Sequence, residues 1–278
     1  TYYAYNVDGL TFNLLKSDGT ILNTSGSASV GAYVSLLVDV PTVQNFLTIS
    51  DSSRFVIAFG CNDYGSAVQD PMLIRWSEQE DPYNWTPDAT NQAGSLRLSH
   101  GSEIITAAQT RQELFTLTDA SAYSLQYIGP PYVWSSQLLA DNISIASQNA
   151  IAVASGVVYW MGVDKFYMYD GRVQTLNCDL RRYVFQDINT AQLSQVFAST
   201  NEGFNEVWWF YCSESSNTID RYVVYNYVEN VWYYGNMART AWLDSGIRQF
   251  PQAATYSHTI VSQENGLNDN IDGTTYPL

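Results

Sequence analysis

Ala150-Ile-Ala-Val-Ala-Ser-Gly-Val-Val-Tyr-Trp-Met-Gly-Val-Asp-Lys-Phe-Tyr-Met-Tyr-Asp-Gly171 holds three short apolar runs divided by turn signals. Ile151–Ala154, Val158–Trp160 and Phe166–Tyr169 are rich in β-branched and aromatic residues. Ser155-Gly156, Val163-Asp164 and Asp170-Gly171 separate and close them. Runs this short, cut by Gly and Asp, read as strands joined by tight turns, because a helix needs a longer periodic segment.

The same order recurs on both sides. Upstream stand Ile104-Ile-Thr-Ala-Ala108, a run ending at Leu117, another through Tyr123, and a glycine turn at Gly129. Downstream, from Gln195, come Val196–Ser199, Val207-Trp-Trp-Phe-Tyr211, Tyr222-Val-Val-Tyr225 and Asn230–Tyr234. The three copies begin about 46 residues apart, residues 46–85 fit with a longer turn, and 253–278 read as the start of another copy. Periodicity of helical type is confined to short pieces near 178–189 and 39–48.

A repeat of roughly 40–50 residues with three or four strands is the pattern of a propeller blade, which must stack both faces of its sheet on neighbours. The reading is therefore all-β, a single β-propeller of about five to seven blades over 1–278, with a β-sandwich as the alternative. Thr1–Leu22 and residues 255–278 are expected to supply strands that close the ring. Trp76, Trp85, Trp160, Trp208 and Trp232 are the expected blade aromatics, at equivalent strand positions or strand ends where stacked sheets need bulk. A chain that opens at Thr1 and stops at Leu278 in mid-pattern reads as a processed product or part of a longer polypeptide.

Composition narrows the function. Of 278 residues, 46% are hydrophobic and only 14% charged, which excludes a disordered chain. Acids outnumber bases 27 to 12, and the lysines are Lys16 and Lys165 alone. Gripping a nucleic-acid duplex takes a basic stripe, which this sequence lacks, whereas an acidic wall lets DNA pass without sticking. No run reaches the ~18–20 apolar residues of a membrane-spanning helix, and no basic-then-apolar leader precedes the repeats.

Catalytic signals are sparse. Cys61, Cys178 and Cys212 lie far apart and read as buried thiols, and His100 and His258 lack ligand-spaced neighbours. No nucleophile elbow, zinc motif or phosphate loop occurs, so neither a cofactor nor an enzyme activity is expected. Glu103, Asp164 and Glu206 are the candidates for a carboxylate pair in a central funnel. Most other acids, including Asp18, Asp119, Asp170 and Asp272, stand in turns that they cap themselves. Asn268-Asp-Asn-Ile-Asp-Gly273 matches the first half of a calcium loop, with Asn268, Asn270 and Asp272 as the weak candidate ligands, and an ordinary Asx-rich turn is the favoured reading. Asp81–Trp85, Tyr127–Trp134 and Val231–Gly235 are candidate aromatic platforms.

One resemblance extends over about residues 70–265. Ile74-Arg-Trp-Ser77, Asp81-Pro-Tyr-Asn-Trp85, Phe115-Thr-Leu-Thr-Asp119, Ala122-Tyr-Ser-Leu-Gln-Tyr-Ile-Gly129, Val158-Tyr-Trp-Met161 and Phe166-Tyr-Met-Tyr-Asp-Gly171 are similar to segments of the tail nozzle or hub proteins of short-tailed bacteriophages. The resemblance implies a virion protein of the phage tail, a propeller-containing subunit of a homo-oligomeric, usually sixfold ring below the portal and adaptor. Such a ring retains the packaged genome and conducts DNA during ejection, and it brings no catalytic residues. The competing expectation is a propeller that binds or cleaves carbohydrate at the host surface.

Overall fold

In the computed structural model the described residues are 2–8, 11–16, 39–266, 268–271 and 274–277. The chain divides into two units, Thr1–Leu36 and Leu37–Leu278. The first contains one antiparallel hairpin, β1 (Tyr2–Asp8) and β2 (Thr11–Lys16). Residues 17–22, part of the segment expected to close the ring, lie outside the described residues.

The second unit is a series of antiparallel sheets with strands in chain order. Blade 1 holds β3 (Phe46–Ile49), β4 (Val56–Phe59), β5 (Leu73–Trp76) and β6 (Gly94–Arg97). Blade 2 holds β7 (Ile104–Gln109), β8 (Leu114–Thr118), β9 (Ser121–Gly129) and β10 (Val133–Asp141). Blade 3 holds β11 (Ile151–Ala154), β12 (Val157–Met161), β13 (Phe166–Tyr169) and β14 (Val173–Leu176). Blade 4 holds β15 (Phe197–Asn201), β16 (Glu206–Tyr211), β17 (Arg221–Asn226) and β18 (Val231–Asn236). Blade 5 has three strands, β19 (Ala241–Leu243), β20 (Gln252–Ala254) and β21 (Ile260–Ser262). A last hairpin pairs β22 (Asn268–Ile271) with β23 (Thr274–Pro277).

First strands meet first strands: β7 touches β11, β11 touches β15, and β15 touches β19. Sequential four-stranded meanders joined through their first strands define a β-propeller. Blade 3 shows the local cause. Ala154 pairs with Val157 across Ser155 and Gly156, both at positive φ (50° and 81°), the twist that a two-residue hairpin turn requires.

Period-2 alternation then divides each strand between two neighbours. Leu114 and Leu125 stand opposite each other and pack toward blade 1, while Phe115 points toward blade 3, 4.5 Å from Tyr169 and 5.2 Å from Trp160. On the far side of blade 3, Phe166 meets Trp209 at 5.0 Å and Trp232 at 4.7 Å. Beyond blade 4, Trp208 stacks on Trp242 at 5.1 Å. Middle strands such as β12 and β16 are therefore apolar on both faces and almost wholly buried.

Several expectations need correction. The stretch 39–48 is not a helix but leads into β3, whereas the helix expected within 178–189 is present as α1 (Arg181–Asp187). The last copy starts at Ala241 rather than 253. The blade tryptophans are not equivalent: Trp160 and Trp208 lie on second strands, Trp76 on a third, Trp232 on a fourth, and Trp85 in the loop after β5. Trp232 is only half-buried, and the other four are buried.

Candidate functional site

Strand order separates the three candidate acids. Within a meander, the turns after first and third strands share one rim, and the turns after second strands share the other rim with the links between blades. Glu103 lies in the link before β7 and Asp164 in the turn after β12, whereas Glu206 starts β16 at the opposite rim. Glu103 is exposed and accepts from Asn45 Nδ2 at 3.1 Å, tying blade 2 to the start of blade 1. Asp164 is exposed and pairs with Arg181 Nη2 at 3.1 Å and Lys165 Nζ at 3.9 Å. Glu206 is therefore on the other rim from Glu103 and Asp164, which are each tied to a side chain of the fold.

Glu206 is the buried one, 8% exposed on the face of blade 4 that meets blade 5. Its carboxyl accepts from Trp208 Nε1 at 2.9 Å, Asn201 Nδ2 at 3.3 Å and the Tyr233 hydroxyl. Burial raises its pKa above the ordinary carboxylate range, and Glu264 nearby adds to the rise, against the lowering effect of Trp208 and Asn201. Each donor it meets belongs to its own sheet, so the group is a polar brace for Trp208 at the seam rather than an acid aimed at solvent.

A second hub joins blades 2 and 3. Glu113, in the turn before β8, accepts from the Tyr169 hydroxyl at 2.5 Å, the Ser124 hydroxyl and Gln126 Nε2 at 3.2 Å. Burial, followed by the bond to Glu113, pushes the Tyr169 phenol well above its usual range. The hub floors a cleft of about 270 Å³ whose rim carries Arg111, Ser155 and Asp170.

Arg75 makes the third hub. It is 2% exposed in a strand buried on both faces. Its guanidinium reaches three loop carbonyls: Asn62 O at 3.2 Å, Asp39 O at 2.8 Å and Trp85 O at 3.3 Å. It stands beside a cavity of about 450 Å³ that Asp39, Thr42, Asp63 and Ser66 also line. A cation within the apolar run Met72-Leu-Ile-Arg-Trp76 was the one sequence signal for this hub. Glu113 and Tyr169 stand 56 residues apart in neighbouring blades and gave none.

The remaining candidates have structural partners. His100 Nδ1 lies 2.9 Å from Ser99 Oγ and 3.3 Å from the Tyr123 hydroxyl, and His258 occupies the turn before β21. Cys61, Cys178 and Cys212 are free and buried, and burial raises the first two thiols to about 11 and about 12. Asp119 accepts from the Ser102 hydroxyl at 2.5 Å and from the Ser102 amide at 2.8 Å, so it holds the link before β7 rather than capping its own turn. Asn268 and Asn270 lie on β22, opposite Pro277 and Thr275, while Asp272 lies outside the described residues. Among the described residues no group of three or more His, Cys, Asp or Glu side chains is placed to hold a metal.

The aromatic platforms are built in only in part. Trp85 is buried and donates to Pro82 O at 2.9 Å, and Tyr127, though exposed, packs 5.5 Å from Phe55 of blade 1. Tyr83, Tyr132 and Tyr234 are also exposed. Indole N–H groups serve as pins throughout: Trp76 to Gln92 O, Trp160 to Ser144 O, Trp209 to Ala150 O, Trp232 to Asn177 O and Trp242 to Thr200 O, all at 2.7–3.2 Å. The last three cross between blades or reach the link ahead of their own blade. Trp134 Nε1 is buried with no such acceptor among the described residues.

Several cations are paired. Arg54 pairs with Glu80 at 2.6 Å, Arg97 with Asp70 at 2.6 Å, and Arg221 with Asp187 at 3.6 Å, besides the Asp164 pairs. Arg97 and the Met72 amide hold Asp70 below its usual range despite the opposing effect of burial. These exposed pairs are each worth little, about 0–1 kcal/mol.

No family profile and no curated protein sequence matches the chain. Among solved structures it is similar to the extracellular domain of a "putative one component system" of B. thetaiotaomicron, at 11% identity and TM-score 0.45, covering 82% of this chain and 29% of that one. It is also similar to Kluyveromyces marxianus Hsv2, at 8% identity and TM-score 0.43 over 77% of this chain and 60% of that one. The N-terminal domain of Nup159 aligns at 11% identity and TM-score 0.33 over 86% and 78%. The chain thus spans under a third of the first and three-fifths of the second. The propeller assignment rests on its own sheets.

Proposed function

We propose that this chain is a structural propeller subunit of a short-tailed phage tail, of nozzle or hub type, forming a ring that retains the packaged genome and conducts it on ejection. The resemblance of residues 70–265 supplies the class. The observation that carries the reading is the state of the charges: an excess of 15 acidic groups, with Arg54, Arg97, Arg181 and Arg221 paired to carboxylates and Arg75 spent on buried carbonyls. Such a surface repels phosphate and lets DNA slide. The half-buried Glu113 and the buried Glu206 support a non-catalytic role, since each is engaged by three donors of the fold. A carbohydrate-binding role draws on one feature, the polar cleft between blades 2 and 3.

The test is purification of the virion with quantitative mass spectrometry of the tail, beside a polysaccharide-binding and depolymerisation assay on the chain. A fixed stoichiometry per tail with no polysaccharide bound is expected. Absence from tails, or shortening of a host polysaccharide, overturns the proposal.

A further inference from the structure

Tyr211 ends β16 and Arg221 begins β17 directly opposite it in register, so the two side chains leave the sheet on the same face. Asp187 closes α1, the helix in the link between blades 3 and 4. Beyond it the chain runs along the end of β16: Ile188 bridges to Ser213, and the Asn189 amide donates to Cys212 O at 2.9 Å. Val184 and Ile188 of this segment share a core cluster with Tyr211. Asp187, Tyr211 and Arg221 are thereby gathered where the helix ends.

Their neighbours are committed elsewhere. Asp220 accepts from the Ser213 hydroxyl at 2.7 Å and the Ser213 amide at 2.8 Å, and Arg221 Nη1 donates to the Asn236 side-chain carbonyl. Three polar atoms are left over: the Tyr211 hydroxyl, Asp187 Oδ2 and Arg221 Nε. Each is shielded from solvent and has no hydrogen-bond partner among the described residues. Tyr211 is wholly buried. Arg221 Nε stands 3.6 Å from Asp187 Oδ2, wider than a direct hydrogen bond. Burial lifts the Tyr211 phenol well above its usual range, and Asp187 is the first charged group to add to the rise. Buried polar groups in native interiors are paired, and three orphans in one place call for a shared partner.

We infer that one internal water is bound here, accepting from Arg221 Nε and the Tyr211 hydroxyl and donating to Asp187 Oδ2. The chemistry selects it. The site presents one obligate donor, one obligate acceptor and one hydroxyl of either sense, so its occupant must both accept and donate. A metal cation would lie against the guanidinium, and an anion against Asp187 and Asp220. Three bonds are the usual complement of an internal water, and a polar pair held beyond direct contact is where one bridges. Held in this way, the water fastens the end of α1 to the ends of β16 and β17, and it leaves when that link lifts. The inference stands apart from the tail assignment.

A crystal structure of the full chain, at a resolution that orders waters, tests it directly. A single water is expected within about 2.7–3.2 Å of all three atoms. A direct hydrogen bond from Tyr211 or Arg221 to Asp187 with no density between them, or an ion in that place, overturns the inference. In solution, oxygen-17 magnetic relaxation dispersion counts the long-lived waters. Tyr211→Phe/Asp187→Ala is expected to lose one of them relative to the parent, and an unchanged count overturns the inference. Should the double variant fail to fold, Tyr211→Phe, which keeps the packed ring, is expected to shorten the residence time of that water; an unaltered dispersion profile would then be the contrary result.

Discussion

Glu206 is one carboxyl whose protonation is coupled to the seam between blades 4 and 5. Its folded pKa is raised, so its contribution to stability is fully present below the unfolded value and is lost as pH rises through the folded value. Glu206→Gln keeps an acceptor for Trp208 and removes the charge. Thermal unfolding of the two proteins should coincide at acid pH, and the variant should melt higher as pH approaches neutrality. A parent that gains on the variant with rising pH would refute this account. Arg75 works by reach instead: three carbonyls from segments 10, 13 and 36 residues away converge on one planar guanidinium. Lysine, a point donor, cannot span them. Arg75→Lys should lower stability by about 1–3 kcal/mol in denaturant titration through the carbonyls it abandons, and an unchanged midpoint would contradict the hub.

At the scale of the element, blades differ in how much of their backbone is covered. Blade 5 has three strands of three residues, against six-residue strands at the centre of blade 4. Hydrogen exchange should therefore release the amides of β19–β21 roughly tenfold or more faster than those of β16 and β17; equal protection would mean that the terminal blade is held by something beyond its own strands. The same differences set what could be read from the sequence. Middle strands were legible because burial on both faces demands continuous apolar runs, and Ser155-Gly156 announces its turn through the positive φ that it must adopt. Outer strands were missed where they are polar: Gly94–Arg97 and Val173–Leu176 carry no alternation to distinguish them from loop. The hub at Glu113 was illegible for another reason, since Tyr169 arrives from the next blade and leaves no spacing rule in the chain. Asp119 stands in a turn as read, but its partners Ser102 and Glu103 lie 16–17 residues away in the link before β7, so it ties that link to the turn instead of capping its own turn.

For the whole molecule, the balance of charge governs partners. Mobility shift with duplex DNA should show no retardation at about 0.15 M salt, where screening over roughly 8 Å still leaves a net repulsive surface. Tight, salt-sensitive binding would overturn the passage role. The tryptophans offer a view of the same molecule from inside. Their N–H groups hold protein carbonyls at the seams, and water replaces those carbonyls wherever a seam parts. Emission from the indoles should then shift to the red in step with each opening, so the packing that the propeller cannot do without is also a built-in fluorescent gauge of which of its joints has let go.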